Sequence, residues 1–258
     1  MILQRLLGRG AKKRPGVISP GQVAYAVGDI HGRLDLLDAI LELIQADAAR
    51  HADLRRHLIF LGDYVDRGPE SRGVVDRLLQ DPLPDFETIR LMGNHEQALL
   101  AFLDGESDGG DWLAFGGLET LMSYGVPLRR MPRGEAAVLD LRLSLAAALP
   151  QSHVKFFREC DLLCGIGDYV FVHAGVRPGI ALESQAPIDL MWIRDDFLRA
   201  KVAVPGKVVV HGHTICDLPQ DRDYRVNIDT GAFASSRLTA LVLRGNERRF
   251  ISTLDGIS

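Results

Sequence analysis

Short apolar segments that end in glycine and charged residues recur along this chain. Residues 58–61 form one of them, which is long enough for a buried strand and too short for a helix. Gly62 ends the segment, and Asp63, Asp66 and Arg67 follow it. Such a strand carries its polar groups at its carboxyl end, where open α/β sheets hold their active sites. A solvated turn is the alternative for one segment alone, but the same arrangement follows four other predicted strands.

The first part of the chain alternates between strand-like and helix-like patterns. Between the strand segments, apolar residues recur at the helical spacing of three and four positions. This alternation predicts βα units, and therefore a largely parallel sheet with crossover helices. The predicted strands are residues 23–27, 58–61 and 88–91, and the predicted helices are residues 34–44, 70–79 and 98–102.

The middle of the chain, from about residue 105 to residue 159, is predicted to be a helical insert. Its helices are expected over residues 112–124 and 135–149, and it carries none of the polar clusters that follow the strands. Two interpretations stay open. The insert either forms a cap that shapes access to a site or only packs on the flank of the sheet.

The last part of the chain returns to strand patterns, with tight-turn signals at Gly167-Asp168 and Gly245-Asn246. It is expected to be mostly antiparallel or mixed. Because the sequence shows no internal repeat and no linker, residues 21–258 are predicted to form a single α/β domain. Its expected architecture is a two-sheet mixed β-sandwich flanked by helices. The predicted strands are residues 161–165, 169–172, 207–210, 224–228, 238–243 and 249–253.

Composition narrows the class of protein. The formal net charge of −4 gives no reason to expect nucleic acid or an anionic membrane as the main partner. The three cysteines form no C-x-x-C pair, which fits a reducing cytoplasm better than a disulfide framework. No apolar run approaches the roughly 18 residues of a membrane span. Residues 1–20 are basic and are expected to form a loosely ordered tail, with an amphipathic anchor or a partner-binding arm as alternatives.

Side chains that bind metals follow five of the predicted strands. Five of the eight histidines lie in these few turns. A single buried histidine is more often a hydrogen-bonded core residue than a ligand, but the recurrence of apolar strand, glycine and polar side chain indicates one common site. The residues are Asp29, His31, Asp63, Asn94, His95, His173, His211 and His213.

Carboxylate, imidazole and amide groups suit hard to borderline divalent metals such as Mn, Fe, Zn or Co. The set is too large for one tetrahedral ion and contains no thiolate, which argues against a structural zinc. Two ions roughly 3.5–4 Å apart can activate one water molecule and clamp both oxygens of an in-line phosphoryl displacement. Asp63 is the predicted bridge between them. The other predicted ligands are Asp29 and His31 for one ion, and Asn94, His173 and His211 for the other.

Charged residues beside these ligands suit phosphoryl transfer. His95 follows Asn94, so it is predicted to face the same pocket without binding metal and to protonate the leaving oxygen. Asp66 would orient that histidine. Arg67, Arg194 and the amide of Asn94 are the predicted contacts to the substrate phosphate, because a guanidinium matches phosphate oxygens. For Arg194 a solvated helix arginine is the alternative.

Five sequence blocks resemble the signature motifs of the phosphoprotein phosphatase family of calcineurin-like metallophosphoesterases. All five occur in the order that the family has. Two further blocks, W-I-R at 192–194 and G-G-L-E-T-L-M-S-Y-G at 116–125, resemble the bacterial members. The five are G-D-I-H-G at 28–32, G-D-Y-V-D-R-G at 62–68, G-N-H-E at 93–96, V-H-A-G at 172–175 and H-G-H-T at 211–214.

The resemblance implies a four-layer αββα fold with a dinuclear metal centre at one edge of two packed sheets. It implies two divalent ions, with Mn²⁺ expected and Fe, Zn, Co or Ni as alternatives. It assigns the same ligands, acid pair and phosphate contacts as the residue pattern. By this resemblance His211 is a ligand, whereas His213 supports the site without contacting a metal.

The resemblance also bears on the substrate. A sister group that hydrolyses symmetric diadenosine tetraphosphate usually lacks the aspartate found here as Asp66, has Asp in place of Glu96, and reads G-H-W where this chain has G-H-T at 212–214. These departures favour a cytoplasmic serine/threonine protein phosphatase, with in-line attack by a metal-bridging hydroxide. A hydrolase of diadenosine tetraphosphate or another small phosphate ester is the alternative. An inactive binding module is a third hypothesis, which the presence of every expected ligand disfavours.

Overall fold

The computed structural model of the protein describes residues 16–127 and 131–257. Residues 1–15 of the predicted basic tail therefore lie outside the described residues. Ile18 is fully buried, and its backbone N–H donates to the carbonyl of Gly245 at 2.9 Å. The hydroxyl of Tyr169 donates to the carbonyl of Gly16 at 3.2 Å. The packed body thus extends back at least to Gly16, whereas the sequence predicts its boundary at residue 21.

The strands follow the predicted segments with shifts of a few residues at their ends. Two short strands, β7 and β11 below, have no counterpart in the sequence prediction. In chain order, the strands are β1 (Gln22–Val27), β2 (Arg55–Phe60), β3 (Glu87–Arg90), β4 (Leu163–Ile166), β5 (Tyr169–Val172), β6 (Val208–His211), β7 (Gln220–Asp221), β8 (Arg225–Asn227), β9 (Thr239–Arg244), β10 (Glu247–Ser252) and β11 (Gly256–Ile257).

The strands form a larger sheet in the order β11-β10-β9-β1-β2-β3 and a smaller sheet in the order β4-β5-β6-β8-β7. β1, β2 and β3 pair in parallel, as the βα alternation predicts. β9 pairs antiparallel with β1, so the C-terminal strands complete the sheet that the N-terminal strands begin. In the smaller sheet β5, β6 and β8 are parallel, and β4 and β7 are antiparallel to their neighbours. The predicted two-sheet mixed sandwich is confirmed.

The helices flank these sheets, and within the described ranges none is long and apolar enough to cross a membrane. The predicted helix over residues 112–124 is interrupted, because Leu113–Gly117 forms a π-helical turn in which Gly116 has a φ of 117°. The helices are α1 (Leu34–Ala48), α2 (Ser71–Leu79), α3 (Asn94–Asp104), α4 (Gly110–Trp112), α5 (Leu118–Ser123), α6 (Glu135–Ala148), α7 (Gln151–Arg158), α8 (Pro187–Trp192), α9 (Asp195–Leu198) and α10 (Ala232–Ser235), with 3₁₀ turns at Ala49–His51 and Leu182–Ser184.

The alternation of side chains along β1 shows how the layers pack. Val23, Tyr25 and Val27 face the helices, and Ala24 and Ala26 face the smaller sheet. Both faces are buried, which is why this strand reads as a continuous apolar run. Burying a side chain such as valine contributes about 1.5–3 kcal/mol, so the strands are firmly held on both sides. The fold therefore has four layers: helices, sheet, sheet and helices.

The turns at the carboxyl ends of the parallel strands meet at one edge of the sandwich. The backbone N–H of Ile30 donates to the carbonyl of Asp63 at 3.1 Å, which joins the turns after β1 and β2. Nδ1 of His173, after β5, lies 2.9 Å from the carbonyl of Leu61, after β2. The N–H of Gly212, after β6, donates to the carbonyl of His173 at 2.8 Å. These contacts bring the polar ends of both sheets together.

Candidate metal centre and active site

Asp63 lies at the centre of the site and is almost completely buried. Its Oδ1 lies 3.4 Å from Nε2 of His173, and its Oδ2 lies 3.5 Å from Nε2 of His31 and 4.0 Å from Nε2 of His95. These separations exceed those of good N–H···O hydrogen bonds. The two shorter separations, to His173 and His31, suit ligand atoms that each lie about 2.0–2.2 Å from one shared ion. The arrangement around Asp63 therefore fits metal binding.

Asn94 joins a second group of candidate ligands. Its Oδ1 lies 2.9 Å from Nε2 of His173 and 2.7 Å from Nδ1 of His213. One ligand atom each from Asp63, His173 and His213 lie within 4.8 Å of one another. Carboxylate, imidazole and amide oxygen thus converge on one point, which is a donor set for a divalent metal such as Mn²⁺, Fe²⁺ or Zn²⁺.

The structure contradicts the assignment of His211 as a metal ligand. Its Nε2 lies 3.3 Å from Nη1 of Arg225, its Nδ1 lies 3.0 Å from the carbonyl of Gly212, and its ring packs edge-on against Phe197. The reason is the alternation of side chains along β6. His211 is two residues beyond Val209, which faces the outer helices, so its side chain points away from the candidate metal centre.

His213 occupies the place expected for His211. It has a φ of 63°, which turns its ring back toward the site, and its backbone N–H donates to Oδ2 of Asp29 at 3.0 Å. A Cβ at Gly212 would overlap the carboxylate of Asp29, so only glycine fits between β6 and His213. The resemblance does not assign His213 to a metal, but the structure brings its imidazole to Asp63 and His173.

Asp29 offers an oxygen to the same site. Within residues 16–127 and 131–257 no hydrogen-bond donor reaches its buried Oδ1. Burial and the neighbouring carboxylates of Asp229 and Asp63 raise the pKa of Asp29 well above its usual range. Burial also raises the pKa of Asp229, to about 6. Asp29, Asp63 and Asp229 are thus three buried carboxylates in one place, where bound cations lower the electrostatic cost.

The candidate histidine ligands are oriented by backbone carbonyls. Nδ1 of His31 lies 2.9 Å from the carbonyl of Val65, and Nδ1 of His173 lies 2.9 Å from that of Leu61. These contacts leave both Nε2 atoms facing Asp63, as is usual for metal-binding histidines. Burial lowers the pKa of His31 to about 3 and lowers that of His173 as well. Both shifts favour the neutral ring, which is the form that binds metals.

His95 and Asp66 form the predicted acid pair. Nδ1 of His95 lies 2.6 Å from Oδ2 of Asp66, and both side chains are buried. Burial lowers the pKa of His95, but the carboxylates of Asp63 and Asp66 outweigh it and the net shift is upward. Because Asp66 accepts the Nδ1 proton, Nε2 faces Asp63 and can give a proton to a leaving oxygen. This geometry is compatible with the predicted roles of general acid for His95 and orienting carboxylate for Asp66.

The two predicted arginines contact different residues of this centre. Nη1 of Arg67 lies 3.0 Å from Nε2 of His31, and its guanidinium stacks over the ring of Phe233 at 4.8 Å. Arg194 is exposed, and its Nη1 donates to the carbonyl of His213 and to Oγ1 of Thr214, both at 3.2 Å. Arg194 is thus hydrogen-bonded to residues of the site, and is not simply a solvated helix arginine. Phe233 has no signal in the sequence pattern.

Five of the site residues have a left-handed backbone. The φ angles are 48° for His31, 53° for Asp63, 73° for Asp66, 67° for Arg67 and 63° for His213. This conformation costs a non-glycine residue about 1–2 kcal/mol. Strain of this kind persists where surrounding contacts enforce it, and it is frequent at functional sites.

Hydrogen bonds to Glu96 help to hold the left-handed backbone of the site. Its carboxylate accepts the backbone N–H groups of Asp63 at 2.8 Å, Tyr64 at 2.7 Å, Val65 at 3.2 Å and Gly93 at 3.0 Å. From the sequence, Glu96 is only a position at which two related groups differ. Its position at the third residue of α3 is a capping-box signal that could have indicated a structural role.

The helical middle segment also touches the site. Nε1 of Trp112 donates to Oδ2 of Asp66 at 3.0 Å, and Oγ1 of Thr120 donates to Oδ1 at 2.6 Å. Neither residue is predicted from the sequence to take part. The helical insert was expected either to cap the site or only to pack on the flank of the sheet. Packing on the flank alone does not account for the contacts of Trp112 and Thr120 with Asp66.

Comparison with known proteins places the chain in a family. Residues 24–226 match the family model described as calcineurin-like phosphoesterase. The chain belongs to the calcineurin-like metallophosphoesterases. This match confirms the family that the sequence motifs indicate, and with it the expected class of enzyme, a phosphoesterase hydrolase.

Relatives of this metallophosphoesterase carry different activities in their names. Serine/threonine-protein phosphatase 2 of Escherichia coli (strain K12) is 47% identical over 226 residues, which cover 83% of this chain and 90% of that protein. Bis(5'-nucleosyl)-tetraphosphatase PrpE (asymmetrical) of Bacillus thuringiensis (strain Al Hakam) is 27% identical over 233 residues, which cover 83% and 88%. A solved cold-active protein tyrosine phosphatase aligns over 92% of this chain and 78% of its own, with a TM-score of 0.58 at 17% identity, which shows a shared fold.

Proposed function

We propose that this metallophosphoesterase is a phosphomonoesterase that acts on phosphoserine or phosphothreonine in proteins. The observation that carries the proposal is the pair of His95 and Asp66, joined at 2.6 Å, beside the carboxylate of Asp63. A seryl or threonyl alkoxide is a poor leaving group, so an enzyme that releases it needs a proton donor at that position. The 47% identity to a serine/threonine-protein phosphatase supports the same substrate class.

The proposed metal ligands are those that converge around Asp63. When bound, two divalent ions would activate a water molecule and polarise the phosphoryl oxygens. We propose Mn²⁺ as the ion, with Fe, Zn, Co or Ni as alternatives, since the donors are imidazole and oxygen. The proposed set is Asp29, His31 and Asp63 for one ion, and Asp63, Asn94, His173 and His213 for the other.

The remaining residues act on the substrate directly. Arg67 and Arg194 bind the phosphate oxygens from two sides, since guanidinium groups match them in shape and charge. The bond between phosphorus and the seryl oxygen breaks as the water oxygen bonds to phosphorus from the opposite side. Nε2 of His95 gives its proton to the leaving oxygen, while Asp66 holds Nδ1 and stabilises the charged imidazole before transfer.

A dinucleoside tetraphosphate hydrolase is the second candidate. The tetraphosphatase relative in Bacillus thuringiensis aligns over 83% of this chain at 27% identity. A centre of this type cleaves any phosphate ester or anhydride that fits the surrounding surface. Cleavage of an anhydride depends less on a general acid, because the leaving phosphate is a stable anion.

We propose that the protein works in the cytoplasm. Cys160, Cys164 and Cys216 are free thiols, which suits the reducing cytoplasm. A phosphorylated protein or a small phosphate ester is the proposed partner.

The proposal is tested with full-length protein that has been treated with a chelator and titrated with Mn²⁺. We expect 4-nitrophenyl phosphatase activity to appear and saturate with metal. Rates for a phosphoserine peptide and for diadenosine tetraphosphate are then compared at equal enzyme concentration. A higher kcat/KM for the peptide supports a protein phosphatase, and a higher kcat/KM for the dinucleotide supports the second candidate. A folded protein that binds metal and cleaves none of these substrates would contradict both.

A further inference from the structure

We infer that the segment of residues 110–123 positions the catalytic acid, with Trp112 and Thr120 holding Asp66 so that His95 presents Nε2 to the leaving oxygen. This inference rests on the proposed phosphomonoesterase activity. It names two positioning residues that lie outside every motif at the strand ends. It also gives the helical segment a role in the reaction.

The hydrogen bonds to the Asp66 carboxylate come from three side chains. Oγ1 of Thr120 donates to Oδ1 at 2.6 Å, and Nε1 of Trp112 lies 3.2 Å from Oδ1 and 3.0 Å from Oδ2. Nδ1 of His95 lies 2.6 Å from Oδ2. Asp66 is fully buried, so no water competes for these positions. A carboxylate held by donors on both oxygens cannot rotate, and the imidazole that donates to it is aimed in one direction.

Thr120 also acts on the backbone of Asp66. The N–H of Asp66 donates to Oγ1 of Thr120 at 2.9 Å and to Oγ of Ser71 at 3.1 Å, and these two hydroxyls lie 3.0 Å apart. Asp66 has a left-handed φ of 73°, a conformation that a non-glycine residue holds only against contacts of this kind. One threonine side chain therefore restrains both the backbone and the carboxylate of the orienting residue.

The same segment holds the next residue along the chain. The N–H of Arg67 donates to the carbonyl of Gly116 at 3.0 Å. A Cβ at Gly116 would lie 2.7 Å from the backbone nitrogen of Arg67, so this approach requires glycine. The π-helical turn around Gly116 frees that carbonyl from the helix, as such turns do at functional sites. The segment thus contacts the orienting carboxylate and the phosphate-binding arginine together.

The segment is rigid enough to position other residues. Trp112 is 3% exposed and stacks on Phe102, with ring centroids 5.2 Å apart. Gly117 lies flat against the indole, since a Cβ there would approach it to 2.6 Å. At the far end of α5, Oγ of Ser123 accepts the N–H of Arg72 at 2.8 Å. The segment is packed into the body and is not a lid that opens over the site.

The experiment compares two phosphate esters in metal-loaded, full-length variants. Phenyl phosphate needs a proton on its leaving oxygen, whereas 2,4-dinitrophenyl phosphate releases a stable anion without one. Thr120→Val removes one donor to Asp66 with little change in shape. Trp112→Phe removes the other donor but puts a smaller ring in the buried place of the indole, so its structural effect is read from 2,4-dinitrophenyl phosphate. We expect kcat/KM for phenyl phosphate to fall about tenfold and that for 2,4-dinitrophenyl phosphate to change less than about twofold. Thr120→Ser restores the hydroxyl and is expected to restore the rate.

Ser123→Ala is the matched control. It removes a hydrogen bond between α5 and the first turn of α2, on the same helix as Thr120, but Ser123 does not contact the acid pair. We expect both esters to be cleaved at the wild-type rate. Equal losses on both esters in Thr120→Val, or a matching loss in Ser123→Ala, would show a general structural effect and overturn the inference.

A second readout does not depend on turnover. In ¹⁵N-histidine-labelled protein loaded with diamagnetic Zn²⁺, the Nδ1 proton of His95 is assigned by its loss in His95→Gln. We expect its resonance to shift in Thr120→Val and in Trp112→Phe and to stay unchanged in Ser123→Ala. An unchanged resonance in both Asp66-contact variants would overturn the inference. If wild-type protein cleaves neither ester but the resonance shifts as expected, the proposed activity fails and the positioning contact stands.

Discussion

The two sides of the candidate site are built in different ways. On the metal side, around Asp63, the side chains come from turns that directly follow buried strands of the two sheets, and the turns are hydrogen-bonded to one another. On the acid side, His95 and Asp66 depend on Trp112 and Thr120, which lie in helices far along the chain. The donor types of the metal side thus follow from local pattern, whereas the hydrogen bonds that hold the acid side come from a distant segment of the chain.

The same comparison separates two kinds of histidine. On the metal side burial dominates, and it lowers the pKa of His31 to about 3 and that of His213 to about 2. On the acid side the carboxylates of Asp63 and Asp66 overcome burial and raise the pKa of His95. A lowered pKa suits the proposed ligands and a raised pKa suits the proposed acid, so the environment gives identical side chains the properties that two different roles need.

The largest effect is expected from Asp63→Asn. This change removes the negative charge that both proposed ions share, so we expect phosphatase activity to fall at least about 10³-fold and bound metal to decrease. Metal content by mass spectrometry and turnover of 4-nitrophenyl phosphate measure the two effects. Asp140→Asn, on the exposed side of α6, is the control and should change neither. Full metal content with full activity in Asp63→Asn would remove Asp63 from the centre.

His95→Gln tests the acid side alone. We expect phenyl phosphate turnover to fall about 10²- to 10⁴-fold because the proton donor is lost, while metal content stays at the wild-type level. The loss should be much smaller with 2,4-dinitrophenyl phosphate. Turnover of phenyl phosphate close to the wild-type rate would defeat the assignment of His95 as the acid.

Two variants, His213→Gln and His211→Gln, test which histidine of H-G-H binds metal. We expect His213→Gln to weaken metal binding by about 100-fold or more, since a ligand is lost. His211→Gln should keep its metal and instead lose about 1–3 kcal/mol of unfolding free energy, because Arg225 loses a buried partner. Metal titration and urea unfolding measure these effects. Metal loss in the His211 variant alone would restore the assignment made from the sequence.

The smallest effect is expected from Arg194→Gln. Arg194 is exposed and approaches the site from outside, so we expect KM for a phosphopeptide to rise about five- to tenfold with kcat within about twofold. Arg67→Gln, at the half-buried arginine that contacts His31, should lower kcat as well. Steady-state kinetics give kcat and KM for both variants. Equal effects on kcat would show that the two arginines act alike.

Much of the fold follows from the sequence because its strands are short, apolar and ended by glycine. β1, β2 and β3 match the predicted segments to within a few residues, and their parallel pairing follows from the helices between them. The pairing of β9 with β1 could not be predicted from the sequence. It joins residues more than 200 positions apart, and local patterns do not indicate which distant strands pair.

Within the site, the residue types in the turns were predictable, but only some of their orientations were. His211 ends a strand, so strand alternation could have directed it to the outer face, beside Phe197. His213 lies beyond the strand with a positive φ, where no periodic rule gives the direction of a side chain. Trp112 resembles an ordinary core position of a helix. Thr120 lies in the block at 116–125 that resembles the bacterial members, but that resemblance gives no role to its side chain.

The sequence by itself determined the strand ends, the donor types gathered there and the family to which the chain belongs. It could do so because buried strands and glycine turns are local features, and because a metal centre requires particular donor atoms. Only the tertiary structure decided which histidine of H-G-H faces Asp63 and which helix holds Asp66. Those outcomes depend on left-handed turns and on contacts between distant segments, which form only when the two sheets and the helical segment pack together.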